Sequence, residues 1–393
     1  MSNKAVILGA NYYIGLSTIR CLGVMGVEVA AVDYSYEGAY AFESKYCKEK
    51  LIGPHYKTQP KEFLQFLIDY ASKQTLKPVL IPCADPYVEF VDEYLYELRE
   101  YYLIPQNQQG IYTNLMDKEK LHALAVKNSV KVPETVYVSD EDYLDKVDKQ
   151  IGYPCIVKPT DSPSFVSVFR RKMFKVDNKE ELLEAVKKVH EKKLEVIVQR
   201  IIPGFDDHMY TFDAYLNQDS KVTNWMTCQK FRQYPINFGA SVYTGQKYVQ
   251  ELYDIGAKFL ENVGFKGFAE IEFKKDAVTG EFYLIEVNVR ITNLNSLLYK
   301  AGINMPYLTY SELIGKPQPP FELKKDTGLV FWYAYEDFFA VRGYLKTKQL
   351  KLSQVLKSYF KPKAYAIWDY SDPKPFFAFS KSISKKITKK IFR

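Results

Sequence analysis

The stretch Phe268-Ala-Glu-Ile-Glu-Phe-Lys-Lys-Asp-Ala-Val-Thr-Gly-Glu-Phe-Tyr-Leu-Ile-Glu-Val-Asn-Val-Arg290 decides how this chain is read. Phe268, Glu270 and Glu272 alternate with Ala269, Ile271 and Phe273, which predicts a strand. Asp276 to Gly280 carries turn chemistry, and Phe282 to Val289 resumes the alternation as a second strand. Paired as a hairpin, the strands project Glu272, Glu286 and Asn288 from one face. Two carboxylates and an amide oxygen make a hard oxygen site that suits magnesium, which completes its shell with waters and phosphate oxygens. Arg290 shares that face and suits a phosphate. Taken alone, the stretch is also compatible with a surface hairpin whose acidic face is solvated.

At 393 residues the chain predicts two to three domains, and 47% hydrophobic with 26% charged residues is ordinary for a globular protein. Cys21, Cys47, Cys83, Cys155 and Cys228 are scattered, which argues buried thiols in a reducing compartment and against a disulfide framework or a zinc site. No signal peptide and no run long enough to span a bilayer is read, so a cytoplasmic protein is expected. The net charge is +7, and Lys374 to Arg393 carries six Lys, one Arg and no acidic residue. The rest of the chain is therefore neutral overall, which excludes a global basic field for nucleic acid.

Residues 1 to about 110 alternate strand and helix signals, predicting a parallel sheet with covering helices. Gly9 and Gly15 follow the first strand and Asp33 ends the second, but the three-glycine spacing of a dinucleotide site is missing. A tight strand-to-helix turn is the better reading. Asp85 follows a buried strand, where ligands gather in open α/β sheets, although a helix N-cap explains it equally well. From Tyr153 the chain becomes strand-rich, with strands predicted at Pro154–Pro159, Phe165–Phe169, Met209–Leu216 and Val222–Cys228, and a long loop from Lys230 to Thr244.

Lys158 stands in an apolar strand, an expensive place for a charge without an anionic partner, and a polyphosphate would supply one. The loop Thr160-Asp-Ser-Pro-Ser164, with Ser162 and Ser164, offers small residues for capping phosphates. Lys118 is a second cation. Gln199, Arg200, Ile201 and Ile202 lead out of a strand into Pro-Gly and suit a purine edge, with Asp206 and Asp207 placed for ribose hydroxyls.

This order of parts resembles the ATP-grasp superfamily over about Val6 to Lys316. Within it, the chain is most similar to carboxylate–amine ligases of the D-aspartate ligase type. The resemblance implies an α/β and α+β fold, with an N-terminal Rossmann-like parallel-sheet domain (1–112), a small grasp lobe (113–200), a large grasp lobe with the metal site (201–325) and a C-terminal extension (326–393). It implies that Lys118 and Lys158, with Ser162 and Ser164, hold ATP phosphates, that Gln199 to Ile202 hold adenine, and that Asp207 holds ribose. Glu272, Glu286 and Asn288 would hold Mg2+ (or Mn2+). Arg290 and Lys158 would act on the transferred phosphoryl group, with Arg232 a carboxylate contact. Glu270 competes with Glu272, because alternation puts both on one face; the family's placement before Phe-Lys favours Glu272, while a simple register favours Glu270. Glu stands at the Gln199 position in the family, and the residues after Arg290 are not glycine-rich, which bears on the acceptor substrate.

The implied partners are ATP, a carboxylate substrate and an amine acceptor, with a homodimer compatible. The implied reaction is amide formation through an acyl phosphate, with charge neutralisation by the lysines, Arg290 and magnesium; the alternatives are another ATP-grasp activation, of the carbamoyl-phosphate or small-peptide-ligase type, and a non-catalytic nucleotide-binding partner protein. Phe379, Ile383, Ile387 and Ile391 recur every four residues among Lys381, Lys385, Lys386, Lys389, Lys390 and Arg393. That basic amphipathic pattern fits an anionic membrane surface, and a cell-envelope or polysaccharide precursor as substrate. A helix on the protein's own surface is its rival.

Overall fold

Four short strands open the chain: β1 (Ala5–Leu8), β2 (Val29–Asp33), β3 (Cys47–Ile52) and β4 (Val79–Pro82). They form a parallel sheet in the order β3-β2-β1-β4. The continuous apolar runs of β1 and β2 are buried throughout, as strands covered on both faces must be. Beyond β4, Leu103 makes one parallel bridge with Val79. The computed structural model describes residues 2–160, 162–237 and 239–391, and gives only the backbone at 162, 163, 386, 387 and 389–391.

The turn after β1 explains its glycines. Gly9 takes a positive φ of 105°, and a Cβ on Gly15 would lie 1.9 Å from the Gly9 carbonyl oxygen. The helix Tyr13–Gly23 therefore packs directly on the turn. Asp33 accepts from the Ala10 N–H at 2.8 Å, so this carboxylate closes the same turn.

The second sheet is antiparallel, with β5 (Thr135–Tyr137), β6 (Cys155–Pro159), β7 (Phe174–Val176) and β8 (Val196–Arg200) in the order β5-β8-β6-β7. The strand expected over Phe165–Phe169 is instead a helix, Ser162–Phe169. Its early Pro loses no hydrogen bond in a first turn, and Phe165 and Phe169, four residues apart, bring their rings to 4.7 Å.

The third sheet contains β9 (Met209–Leu216), β10 (Val222–Tyr234), β11 (Ala240–Gln246), β12 (Gly267–Lys275), β13 (Phe282–Asn288), β14 (Phe321–Glu322), β15 (Val330–Trp332) and β16 (Lys363–Tyr365). Its order is β13-β12-β9-β10-β11-β15-β16, with β14 beside β10. Two strands from the last seventy residues thus extend the sheet that carries the hairpin. The long loop expected from Lys230 is a correction: β10 runs on to Tyr234 with bulges at Lys230/Arg232 and Arg232/Gln233. Its charges are compensated within the sheet. Arg232, 2% exposed, makes a two-pronged pair with Asp337 at 2.6 and 2.8 Å and lies 3.9 Å over the Tyr243 ring.

The chain ends in the helix Lys374–Ile391, where Phe376 and Phe379 pack against the main core and Phe379 meets Tyr40 at 5.4 Å. The first apolar position of the basic stripe is therefore covered by the protein itself. The side chains of Ile387, Ile391, Lys386, Lys389 and Lys390, and Arg393, lie outside the described residues. Among the described residues no helix is long and apolar enough to cross a membrane. All five cysteines are free and buried.

Two substitutions test this packing. Gly15→Ala lowers stability by about 1–3 kcal/mol, the cost of overpacking, read from the denaturation midpoint. Arg232→Ala strands the buried Asp337 carboxylate and costs ~3–5 kcal/mol without any ligand present. An unchanged midpoint for Arg232→Ala would free Arg232 for a substrate role.

Candidate functional site

The β12–β13 hairpin forms with Glu272 opposite Glu286, Glu270 opposite Asn288, and a bulge just after Glu272. That bulge shifts the register by one residue and brings Glu286 opposite Glu272, while Glu270 and Glu272 stay on one face and differ in burial. Glu270 is buried, and both its oxygens are engaged: Asn288 Nδ2 donates to one at 2.9 Å and Thr292 Oγ1 to the other at 3.0 Å. Burial raises the Glu270 pKa, and the Glu272 charge adds to it. Glu272 is 18% exposed and Glu286 is exposed, so they are the carboxylates that face outward.

Beneath Glu270 lies Asp213, fully buried on β9, opposite Glu270 in the ladder. It accepts from Thr211 at 2.7 Å, and burial together with the Glu270 charge raises its pKa well above the usual carboxylate value.

The cations come from four elements. Lys230 on β10, nearly inaccessible, meets Glu272 at 2.7 Å. Burial pulls its ammonium toward neutrality, but Glu272, Glu270 and Glu286 outweigh that and hold its pKa above normal. Lys158 stands on β6 of the second sheet. Burial lowers its pKa, opposed by the charges of Glu286 and Glu272. The two sheets meet here, joined by the ion pair of Arg200 on β8 with Asp276 in the hairpin turn at 3.0 Å. Lys118 begins the helix Lys118–Lys127 and donates to the Pro159 carbonyl at 2.5 Å, which brings it beside the end of β6.

Arg290 completes the group. Asp85 holds it at 2.6 and 3.1 Å, and its guanidinium also reaches Asn288 Oδ1 at 3.4 Å. Asp85 is the first residue of the helix Asp85–Glu93, with Ala84 as the N-cap, and its carboxylate serves as the arginine's anchor. A row runs from Asp85 through Arg290 and Asn288 to Glu270 and Thr292.

The other expected residues divide. Gln199 turns its amide to Thr135 Oγ1 at 3.0 Å. Arg200 clamps Glu134 at 3.2 Å and Asp276 at 3.0 Å, so its guanidinium ties the second sheet to the hairpin turn. Ile201 and Ile202 lie past the last residue of β8, with Ile202 buried. Asp206 is corrected from a ribose contact to a structural carboxylate: it is buried and accepts from Tyr344, from Gln233 at 2.8 Å and from the Asn237 N–H at 2.8 Å. Asp207 stays more than half exposed, paired with His208 at 2.8 Å. Ser164 lies in the helix Ser162–Phe169, and the Ser162 side chain is outside the described residues. Arg232 is committed to Asp337, apart from this row.

Lys230, Asp213 and Thr292 were not singled out from sequence. Lys230 carried a usable signal, a lysine after the apolar run Trp225-Met-Thr-Cys228, the same oddity that marks Lys158. Among the described residues no three His, Cys, Asp or Glu side chains form a metal-holding group. The set Glu272, Glu286 and Asn288 fits an ion that draws further ligands from phosphate and water, and the Lys230 ammonium already occupies a cation's place on Glu272.

Residues 120–314 match the family model described as D-ala D-ala ligase C-terminus. A D-aspartate ligase of Enterococcus faecium (strain Aus0004) is 27% identical over 257 residues, 63% of this chain and 61% of that protein. The chain thus spans about three-fifths of that relative's length. Among solved structures, the N5-carboxyaminoimidazole synthetase of Staphylococcus aureus superposes with a TM-score of 0.62 at 16% identity, covering 81% of this chain and 79% of that one. The biotin carboxylase domain of the Hydrogenobacter thermophilus 2-oxoglutarate carboxylase, solved with MgADP, ADP and bicarbonate, gives 0.66 at 15% over 84% and 74%. The L-amino acid ligase of Bacillus licheniformis gives 0.58 at 16% over 81% and 78%. The parallel-sheet N-terminal domain and the paired sheets behind it share the fold of these solved structures, and residues 120–314 are similar to the D-ala D-ala ligase C-terminus.

Proposed function

We propose that the chain is an ATP-dependent carboxylate–amine ligase that forms an amide through an acyl phosphate. The observation that carries this reading is the hairpin face on which Glu272 and Glu286 stand opposite each other with Asn288 and Arg290 following, joined to the sheet that carries Lys158 by the Arg200–Asp276 ion pair. Cations and carboxylates facing each other over a gap suit a magnesium-bound polyphosphate, which is complementary to both walls. The D-aspartate ligase relative supports amide formation as the outcome.

In this reading Lys118 and Lys158 hold the ATP phosphates, with Ser162 and Ser164 beside them. Adenine lies along Gln199 to Ile202, contacting backbone and the apolar Ile201 and Ile202, and Asp207 takes the ribose. Glu272, Glu286 and Asn288 hold magnesium, which when bound neutralises phosphate charge. Glu270, tied to Asn288 and Thr292, positions the amide rather than the ion. Arg290, fixed by Asp85, is placed for the transferred phosphoryl group. The substrate carboxylate oxygen attacks the γ-phosphorus and ADP leaves. The amine nitrogen then attacks the carbonyl carbon, phosphate leaves, and the nitrogen loses its proton. Positioning and charge do this work, and no side-chain nucleophile is needed.

The basic helix Lys374–Ile391, with Lys381 and Lys385 exposed, supports action at an anionic membrane surface on a cell-envelope or polysaccharide precursor.

Phosphate release from MgATP, screened over acid–amine pairs, tests the reaction; tight MgATP binding without release for every pair would overturn it. Glu286→Ala abolishes turnover, and full turnover in that variant would remove Glu286 from the metal site. Lys158→Ala weakens MgATP binding about tenfold to a hundredfold, the worth of a charge-assisted hydrogen bond, measured by calorimetry. Removing residues 382–393 lowers binding to phosphatidylserine vesicles and leaves MgATP affinity unchanged; equal vesicle binding would refute the membrane contact.

A further inference from the structure

We propose that an aromatic face on the helix Ala334–Lys346, led by Phe338, lies against an anionic membrane together with the basic terminal helix. The inference rests on the membrane contact proposed for that terminal helix and deepens it with a second contact surface. The helix Ala334–Lys346 buries Asp337, Ala340 and Tyr344, which fixes its inner side. Its outer side carries Tyr335, Phe338 and Phe339, followed by the exposed Arg342 and Lys346 at the same helical spacing. A helix that only packs on its own protein turns its rings inward and its charges outward. This one presents rings and cations to solvent side by side, the composition of a helix at a membrane surface.

The rings adjoin one another. Phe339 lies 5.4 Å from Phe338, 5.5 Å from Tyr335 and 5.8 Å from Tyr234, the last residue of β10. All four are exposed, and Phe338 leaves 60% of its surface in solvent. Single exposed rings are ordinary, whereas a contiguous patch of them marks a contact surface. Tyr335 also reaches Phe379 of the terminal helix at 5.8 Å, so the patch and the basic helix adjoin. Charge selects the occupant. Residues 334–393 hold fourteen Lys and Arg against four Asp and Glu, and two of those acids, Asp337 and Asp372, are buried in pairs with Arg232 and Arg20. Two copies of such a face repel each other, while acidic headgroups complement it and the rings enter the interfacial layer. The patch also borders the site. Tyr234 pairs with Ala240 on β11, and the next residue, Ser241, accepts at its carbonyl from Asn293, three residues past Arg290, at 3.0 Å. A substrate held in the bilayer would thus approach the cleft from its Arg290 end.

The test sediments the full chain with vesicles of phosphatidylcholine alone and of phosphatidylcholine with phosphatidylserine. The wild type binds the phosphatidylserine vesicles and not the neutral ones. Phe338→Ser weakens that binding about tenfold, the worth of moving one large apolar side chain out of water. Phe338→Trp restores it, and the emission of the added indole shifts to the blue on vesicles. MgATP affinity stays within about twofold in both variants, because the substituted ring is distant from the phosphate residues. Phe338→Ser binding as tightly as the wild type overturns the aromatic face; the terminal-helix contact then stands if removing residues 382–393 still lowers binding. No vesicle binding by the wild type overturns both contacts. A wild type that dimerises and binds no vesicle, with Phe338→Ser monomeric, assigns the face to a second copy and overturns the proposal. Failure of the ligase reading shows separately, as absent phosphate release for every acid–amine pair with vesicle binding intact.

Discussion

The Lys230–Glu272 ion pair is the contact on which the arrangement of the cleft depends. It joins β10 to β12 across β9, and only 2% of the lysine side chain reaches solvent. Two charges cannot be buried there singly, because an uncompensated buried ion costs several kcal/mol. The pair therefore fixes the face on which Glu272 projects. Once it does, the register sets Glu286 opposite, and Asn288 and Arg290 follow on the same side. Buried ion pairs add little net stability over well-packed apolar residues, so their concentration here argues for a ligand rather than for fold maintenance. Lys158 makes the same point from the other wall: burial disfavours its charge, and a polyphosphate would reverse that balance.

The parts outside the two facing sheets are not accessories to this site. Asp85, at the end of a parallel strand in the first domain, holds Arg290 from 205 residues away. This is the place where open α/β sheets present their functional loops. From the other end of the chain, β15 and β16 extend the third sheet, and the helix Ala334–Lys346 contributes Asp337 to Arg232. The segment before the last helix is locked to the first domain by Asp372, which binds Arg20 at 3.0 Å, Ser44 at 2.7 Å and the Lys45 N–H at 2.9 Å. First and last segments are thereby held together around one cleft.

What was legible from sequence is what depends on neighbours in sequence. The alternation from Phe268 to Val289 fixes two strands, because side chains on a strand take opposite faces in turn. A lysine in an apolar strand, Lys158, declares a need for an anion. The parallel first domain follows from its apolar runs and intervening helices. The glycines of the first turn were legible as a tight turn, and their physical reason is the contact of Gly15 with the Gly9 carbonyl.

Tertiary structure decided whatever depended on distant partners. Lys230 and Arg232 looked like loop residues because their compensating carboxylates, Glu272 and Asp337, lie far along the chain; paired with them, both become strand residues. Asp206 looked available for a ligand until Tyr344 and Gln233 arrived to saturate it. The choice between Glu270 and Glu272 was undecidable from alternation, since both occupy one face. Burial and the donors Asn288 and Thr292 settled that Glu270 is engaged inside, while Glu272 is the more accessible of the two. Sequence determined the chemistry on offer, because periodicity and charge are local. Only the fold determined which charges neutralise one another and which are left for a ligand, because that depends on burial and on partners that the chain brings together from afar.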